Sequence, residues 1–150
     1  RWLSASDSAI RFVGRGGVRW LRPDAALVVK LPHGIRRVLV EWDRGTVHLG
    51  ELREKWQMYA DYYSHLRERG YEEWQIPQLL VITTTHQREN HIWAMLEDPA
   101  DSVPVLWCAT TLASLVERSG SWSRIWRTRR DEARCGMPMT NGTLRHEAAL

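Results

Sequence analysis

Two strongly apolar, strand-length runs, "PDAALVVKL" (23–31) and "RRVLVEWD" (36–43), flank "PHGI", and this arrangement constrains the fold more than any other feature of the chain. Pro and Gly so close together punctuate a reversal, so the two runs are predicted to pair as an antiparallel hairpin. Immediately afterwards the hydrophobic period changes from two to that of a helix. Leu49, Leu52, Trp56, Tyr59, Tyr63 and Leu66 fall at steps of three and four, which predicts a helix from Val47 to about Arg69. Thr46 is a suitable N-cap, and Gly70 a suitable stop.

Upstream, "AIRFVGRGGVRWL" reads as a first hairpin whose Arg15-Gly16-Gly17 turn needs positive φ. Downstream, "PQLLVITTT" is a nearly continuous apolar strand of the kind buried on both faces of a sheet. Helix "QRENHIWAMLED", strand "VPVLWCAT", helix "TLASLVERSG" and a Trp/Arg-rich end, "SWSRIWRTRR", follow. Strands alternating with helices predict an α/β domain, a mixed β-sheet flanked by α-helices. The pattern fails after Asp131, so residues 1–130 read as one domain and 131–150 as a tail or partner-docked extension. With Arg1 in first place, the chain reads as a fragment of a longer protein.

Composition narrows the function classes. No apolar run approaches the ~18 residues that would span a bilayer, so a soluble, membrane-free domain is expected. Two cysteines without a CxxC pattern fit a reducing cytoplasm. The net charge of +3 is a mild basic excess compatible with a nucleic-acid partner, and of 21 basic residues only Lys30 and Lys55 are lysines. Guanidinium suits bidentate phosphate contacts, although genome composition explains the same bias. There is no dinucleotide fingerprint and no defensible Ser/His/Asp or Cys/His arrangement.

The chemistry concentrates on the second hairpin. Alternation puts Glu41 and Asp43 on one face, about 6–7 Å apart between Cα atoms, with Trp42 on the other. Depending on whether the turn has two or four residues, Asp24 comes opposite Glu41 or Asp43 on that same face. Three acids in one place repel one another unless a cation lies between them, and oxygen ligands with room for water suit Mg²⁺ or Mn²⁺. Solvated strand-end acids paired with Arg22, Arg37 or Arg44 are the alternative. Lys55 lies at the edge of the helix's apolar stripe, flanked by Glu51 and Tyr62, where a lysine can orient water or stabilise a phosphate beside an acidic site.

Assembled in this order, "RPDAALVV", "VEWDRGT", "LREKWQMYADYY" and "PQLLVITTT" resemble the plasmid replication-relaxation family. The hairpin also resembles the PD-(D/E)xK, restriction-endonuclease-like nuclease superfamily. That resemblance implies a restriction-endonuclease-like fold and Asp24 and Glu41 as metal ligands for Mg²⁺ or Mn²⁺. The replication-relaxation resemblance further implies DNA as partner and an amino-terminal winged helix outside this segment. Asp43 is a further catalytic candidate, a metal ligand directly or through water, and it stands where the superfamily's lysine is expected, which would make Lys55 the replacement. The implied function is engagement of DNA in plasmid or mobile-element replication and relaxation, with Mg-dependent cleavage or nicking. The alternative is a silent DNA-binding or protein-interaction module of the same fold.

Candidate phosphate contacts are Arg44 and Thr46 after the acidic strand. A second, basic patch is Arg124, Arg127, Arg129 and Arg130 beside Trp122 and Trp126. The i,i+4 spacing of these two tryptophans also fits a helix that closes the core.

Overall fold

A computed structural model describes residues 1–14, 16–31, 34–97, 107–111, 126–128 and 131–135. In chain order the elements are β1 (Trp2–Leu3), β2 (Ile10–Gly14), β3 (Gly17–Leu21), β4 (Ala25–Leu31), β5 (Gly34–Asp43), α1 (Leu49–Glu68), β6 (Gln78–Thr83), α2 (His86–Glu97), β7 (Trp107–Thr111), β8 (Trp126–Thr128) and β9 (Asp131–Cys135). Among the described residues the strands form a seven-stranded sheet in the order β1-β4-β5-β6-β7-β8-β9 and a separate β2–β3 hairpin. The sheet is mixed: β5, β6 and β7 run parallel, while β1/β4, β4/β5, β7/β8 and β8/β9 are antiparallel. The fold is therefore α/β, as the alternating pattern predicts.

Register follows from the turns. In the first hairpin Gly14 pairs with Gly17, and Gly16 and Gly17 take φ of 97° and 121°, a region L side chains rarely enter. In the second, the register closes with Leu31 paired to Gly34. The pairing then runs to Ala25↔Val40, and one further step brings Asp24 opposite Glu41. The β5–α1–β6 crossover exists because parallel strands cannot be joined by a tight turn.

Side-chain alternation divides the core in two. Ala26, Leu39, Leu79 and Val81 point to one face, against Leu52, Trp56, Tyr59 and Tyr63 of α1 and Ile92 and Trp93 of α2. The β2–β3 hairpin adds Phe12 and Leu21 to this cluster and is tied to α1 by an Arg19–Asp61 ion pair. The opposite face gathers Ala25, Val38, Val40, Leu80 and Trp126. Each large side chain buried here contributes roughly 1.5–3 kcal/mol, so α1 is held by its packed stripe rather than by intrinsic propensity.

The structure departs from the sequence reading at several boundaries. Helix α1 begins at Leu49 with His48 as N-cap, and no side chain caps it; Thr46 lies in the preceding loop. That loop is held by a donor from elsewhere, the Arg88 guanidinium on the Val47 carbonyl at 2.8 Å. The other end is as expected: Gly70 takes φ 77°, its N–H bonds Arg67 O, and Tyr71 N–H bonds Leu66 O, a Schellman closure.

Trp2–Leu3 pairs with β4, and Trp126–Thr128 is a strand rather than part of a helix, because its backbone pairs with β7 and β9. Residues 131–135, where the periodic pattern fails, form β9 on the edge of the sheet. The predicted helix over 111–120, apart from its first residue in β7, lies outside the described residues, as do Trp122, Arg124, Arg129 and Arg130. No helix among the described residues is long and apolar enough to cross a membrane.

Candidate functional site

The carboxyl-terminal ends of β5 and β6, where parallel strands hand the chain to α1 and α2, form the rim at which open α/β sheets present ligands. Three predicted residues meet there. Asp24, just before β4, accepts the Trp42 N–H on Oδ2 at 2.7 Å, so its carboxylate closes the strand end while remaining about half exposed. Glu41, one residue earlier on β5, is only 2% exposed. Lys55 reaches down from the second turn of α1. Its ammonium ion-pairs with Glu41 Oε2 and lies 3.9 Å from Asp24 Oδ2. The lysine thus completes an Asp–Glu–Lys cluster from the neighbouring helix.

Tyr59, one helical turn beyond Lys55, donates its hydroxyl to Glu41 Oε1. The two side chains are i,i+4 on one helix face, so they grip one carboxylate from both oxygens. Burial pushes the Glu41 carboxyl up to about 8, despite the opposing pull of the Lys55 charge and the hydrogen bonds from Lys55 and Tyr59; the Asp24 charge pushes the same way. Burial, then the Glu41 charge, drives the Tyr59 phenol well above its ordinary value, so it stays a donor. A perturbed, buried carboxyl beside a half-exposed one at a strand-end rim makes this cluster the candidate site.

Asp43 has a different partner. Although it shares the face of Glu41, its carboxylate is held by Arg88 of α2 through Nε at 2.5 Å and Nη2 at 3.1 Å. Gly45 N–H at 3.1 Å and the Thr83 hydroxyl at 3.4 Å complete its shell. With side chains 3% and 13% exposed, Asp43 and Arg88 form a buried fork that ties β5, the 44–48 loop and α2 together. The remaining acceptor capacity of Asp43 is small.

Oxygen donors, one of them half exposed, suit a hard divalent cation. Asp24 and Glu41 are such donors, and they already share one cation, the Lys55 ammonium.

Arg44 and Thr46 are exposed on the loop that follows β5, at the rim of the site. Arg127 stacks its guanidinium 4.0 Å above Trp93 and donates to Asn90 Oδ1 at 2.6 Å, so it is engaged with α2. Trp126 is 1% exposed and belongs to the core. Glu51 is exposed, and Tyr62 packs edge-on to Phe12 at 5.4 Å between centroids, away from the acids' hydrogen bonds. Sequence reasoning missed Tyr59 and Arg88. For Tyr59 the signal was its i+4 position from Lys55; Arg88 had no local signal.

A family model described as replication-relaxation matches residues 1–75. That span contains Asp24, Glu41, Asp43, Lys55 and Tyr59 and ends before Arg88. No curated protein and no solved structure matches the chain.

Two outcomes are expected. Arg88→Ala leaves Asp43 buried without its guanidinium and lowers stability by about 3 kcal/mol or more in urea denaturation, in the range for breaking a buried pair. Glu41 holds its proton in the folded state between its ordinary 4.5 and about 8. Its contribution is therefore fully present below 4.5 and lost as pH rises through 8, at a slope of at most ~1.4 kcal/mol per pH unit. Glu41→Gln removes that slope, so its stability relative to wild type rises across this window; a constant difference would mean that Glu41 titrates normally.

Proposed function

The chain belongs to the replication-relaxation family, and from this footing we propose that it engages DNA during plasmid or mobile-element replication and relaxation. In this reading a restriction-endonuclease-like arrangement carries a phosphodiester-cleaving site of Asp24, Glu41 and Lys55. The observation that carries it is the reach of Lys55 from α1 to both carboxylates. A hairpin with acids at one end, a helix, and then a parallel strand are the parts such a site needs. They occur here in that order.

Asp24 and Glu41 are the residues that would hold Mg²⁺ or Mn²⁺, which when bound supplies Lewis-acid polarisation of a phosphate and a more acidic water. Tyr59 fixes Glu41 Oε1, and Oε2 faces the Lys55 ammonium. Lys55, about one-third exposed, is placed to meet a phosphate oxygen or orient water on the solvent side. Arg44 and Thr46 are positioned to contact the backbone of an incoming strand, and DNA in the cytoplasm is the partner. Asp43 serves this site as a positioning residue through Arg88, outside the ligand set.

The commitment of Asp43 to Arg88 also favours a second reading, a silent DNA-binding or protein-interaction module, because it removes the third acid from the cluster. Supercoiled and linear DNA incubated with Mg²⁺ or Mn²⁺ separates the two. Cleavage or nicking by the wild type that falls about a hundredfold or more in Glu41→Gln and Lys55→Ala supports the active site. Equal activity in all three refutes it, and DNA binding without cleavage selects the silent module.

A further inference from the structure

A cavity of about 540 Å³ is lined by Asp24 together with Trp20, Arg22, Pro23, Ala5 and Ser6. This lies within the size range of sites for small ligands, and one nucleotide unit falls in that range. Trp20 of β3 brings the outward face of the β2–β3 hairpin to this cavity. Phe12 and Leu21 turn towards α1, so alternation turns Trp20 outwards, where it is 51% exposed. Arg11 pairs with Trp20 across the hairpin and therefore projects from the same face, while Arg22 follows two residues on. One exposed indole between two exposed guanidiniums is thus set next to the acid end of β4.

The opposite wall is fixed before any ligand arrives. Residues 4–8 form a turn in which Ser4 O accepts the N–H groups of Asp7 and Ser8, at 3.1 and 2.9 Å, and the Ser4 hydroxyl bonds Asp7 Oδ2 at 2.8 Å. Ser8, 4% exposed, donates its hydroxyl to Pro23 O at 3.0 Å and pins this turn to the residue before Asp24. The cavity is consequently built from two tethered segments.

An anionic ligand with an aromatic face matches these walls. We infer that this cavity takes an unpaired nucleotide of single-stranded DNA, its base stacked on Trp20 and its phosphate met by Arg22 and Arg11, on the strand that passes Asp24. A base inside a duplex is already stacked on both faces and cannot offer its plane to the indole, whereas an unpaired base can. The inference rests on the proposed engagement of DNA at Asp24, Glu41 and Lys55, and it specifies that the strand there is single.

The test is fluorescence anisotropy of the chain with a labelled short oligothymidylate and with a duplex of equal length, comparing wild type, Trp20→Ala, Trp20→Phe and Arg22→Ala. Trp20→Ala is expected to weaken single-strand binding about tenfold and duplex binding little, with Trp20→Phe retaining most of the affinity because it keeps a ring. Arg22→Ala is expected to weaken single-strand binding and flatten its salt dependence. Unchanged single-strand affinity in Trp20→Ala, or an equal loss for both DNAs, overturns the inference while leaving DNA engagement standing. Wild-type chain that binds neither DNA overturns both.

Discussion

A carboxylate buried at the end of a strand is the constraint around which this domain is arranged. Glu41 cannot be solvated where it lies, so its carboxyl oxygens must be met by groups brought to them. Lys55 and Tyr59 are those groups, and both come from one face of α1. Their reach fixes the helix over the sheet in rotation and in height, because a shift of one residue would turn both away. The Trp56, Tyr59 and Tyr63 stripe supplies the packing energy, and the polar grip selects the register in which that packing occurs.

Asp43 shows how the same strand serves a second purpose two residues later. Its bidentate pair with Arg88 joins the end of β5 to α2, and the same guanidinium holds the Val47 carbonyl just before α1. The two helices are thereby referenced to one strand through two separate buried acids. One acid is met by a partly exposed ammonium, the other by a largely buried guanidinium.

Much of this was legible in the sequence. The turn chemistry and apolar alternation of 23–43 set the hairpin, and the spacing left two registers, of which the one closing with Leu31 opposite Gly34 was realised, with Asp24 opposite Glu41. The edge position of Lys55 on the helical stripe pointed to the sheet, and it reaches the acids. Tyr59 was hidden because a tyrosine on an apolar stripe looks like core, and it is core except for its hydroxyl. Arg88 was invisible because its partner is 45 residues away, a contact that no local pattern encodes. The N-cap at Thr46 and the helical reading of Trp126 failed for the same reason: a tertiary donor and a neighbouring strand overrode local preference. Strand β9 likewise owes its conformation to pairing with β8.

The central claim is that burial raises the Glu41 carboxyl and that Lys55 holds it back. Carbon-13 NMR titration of the Glu41 side-chain carboxyl, in wild type and in Lys55→Met, measures both parts directly. The midpoint is expected near 8 in the wild type and higher when the ammonium is removed. A midpoint in the ordinary carboxylate range near 4.5, or one indifferent to Lys55→Met, would contradict it.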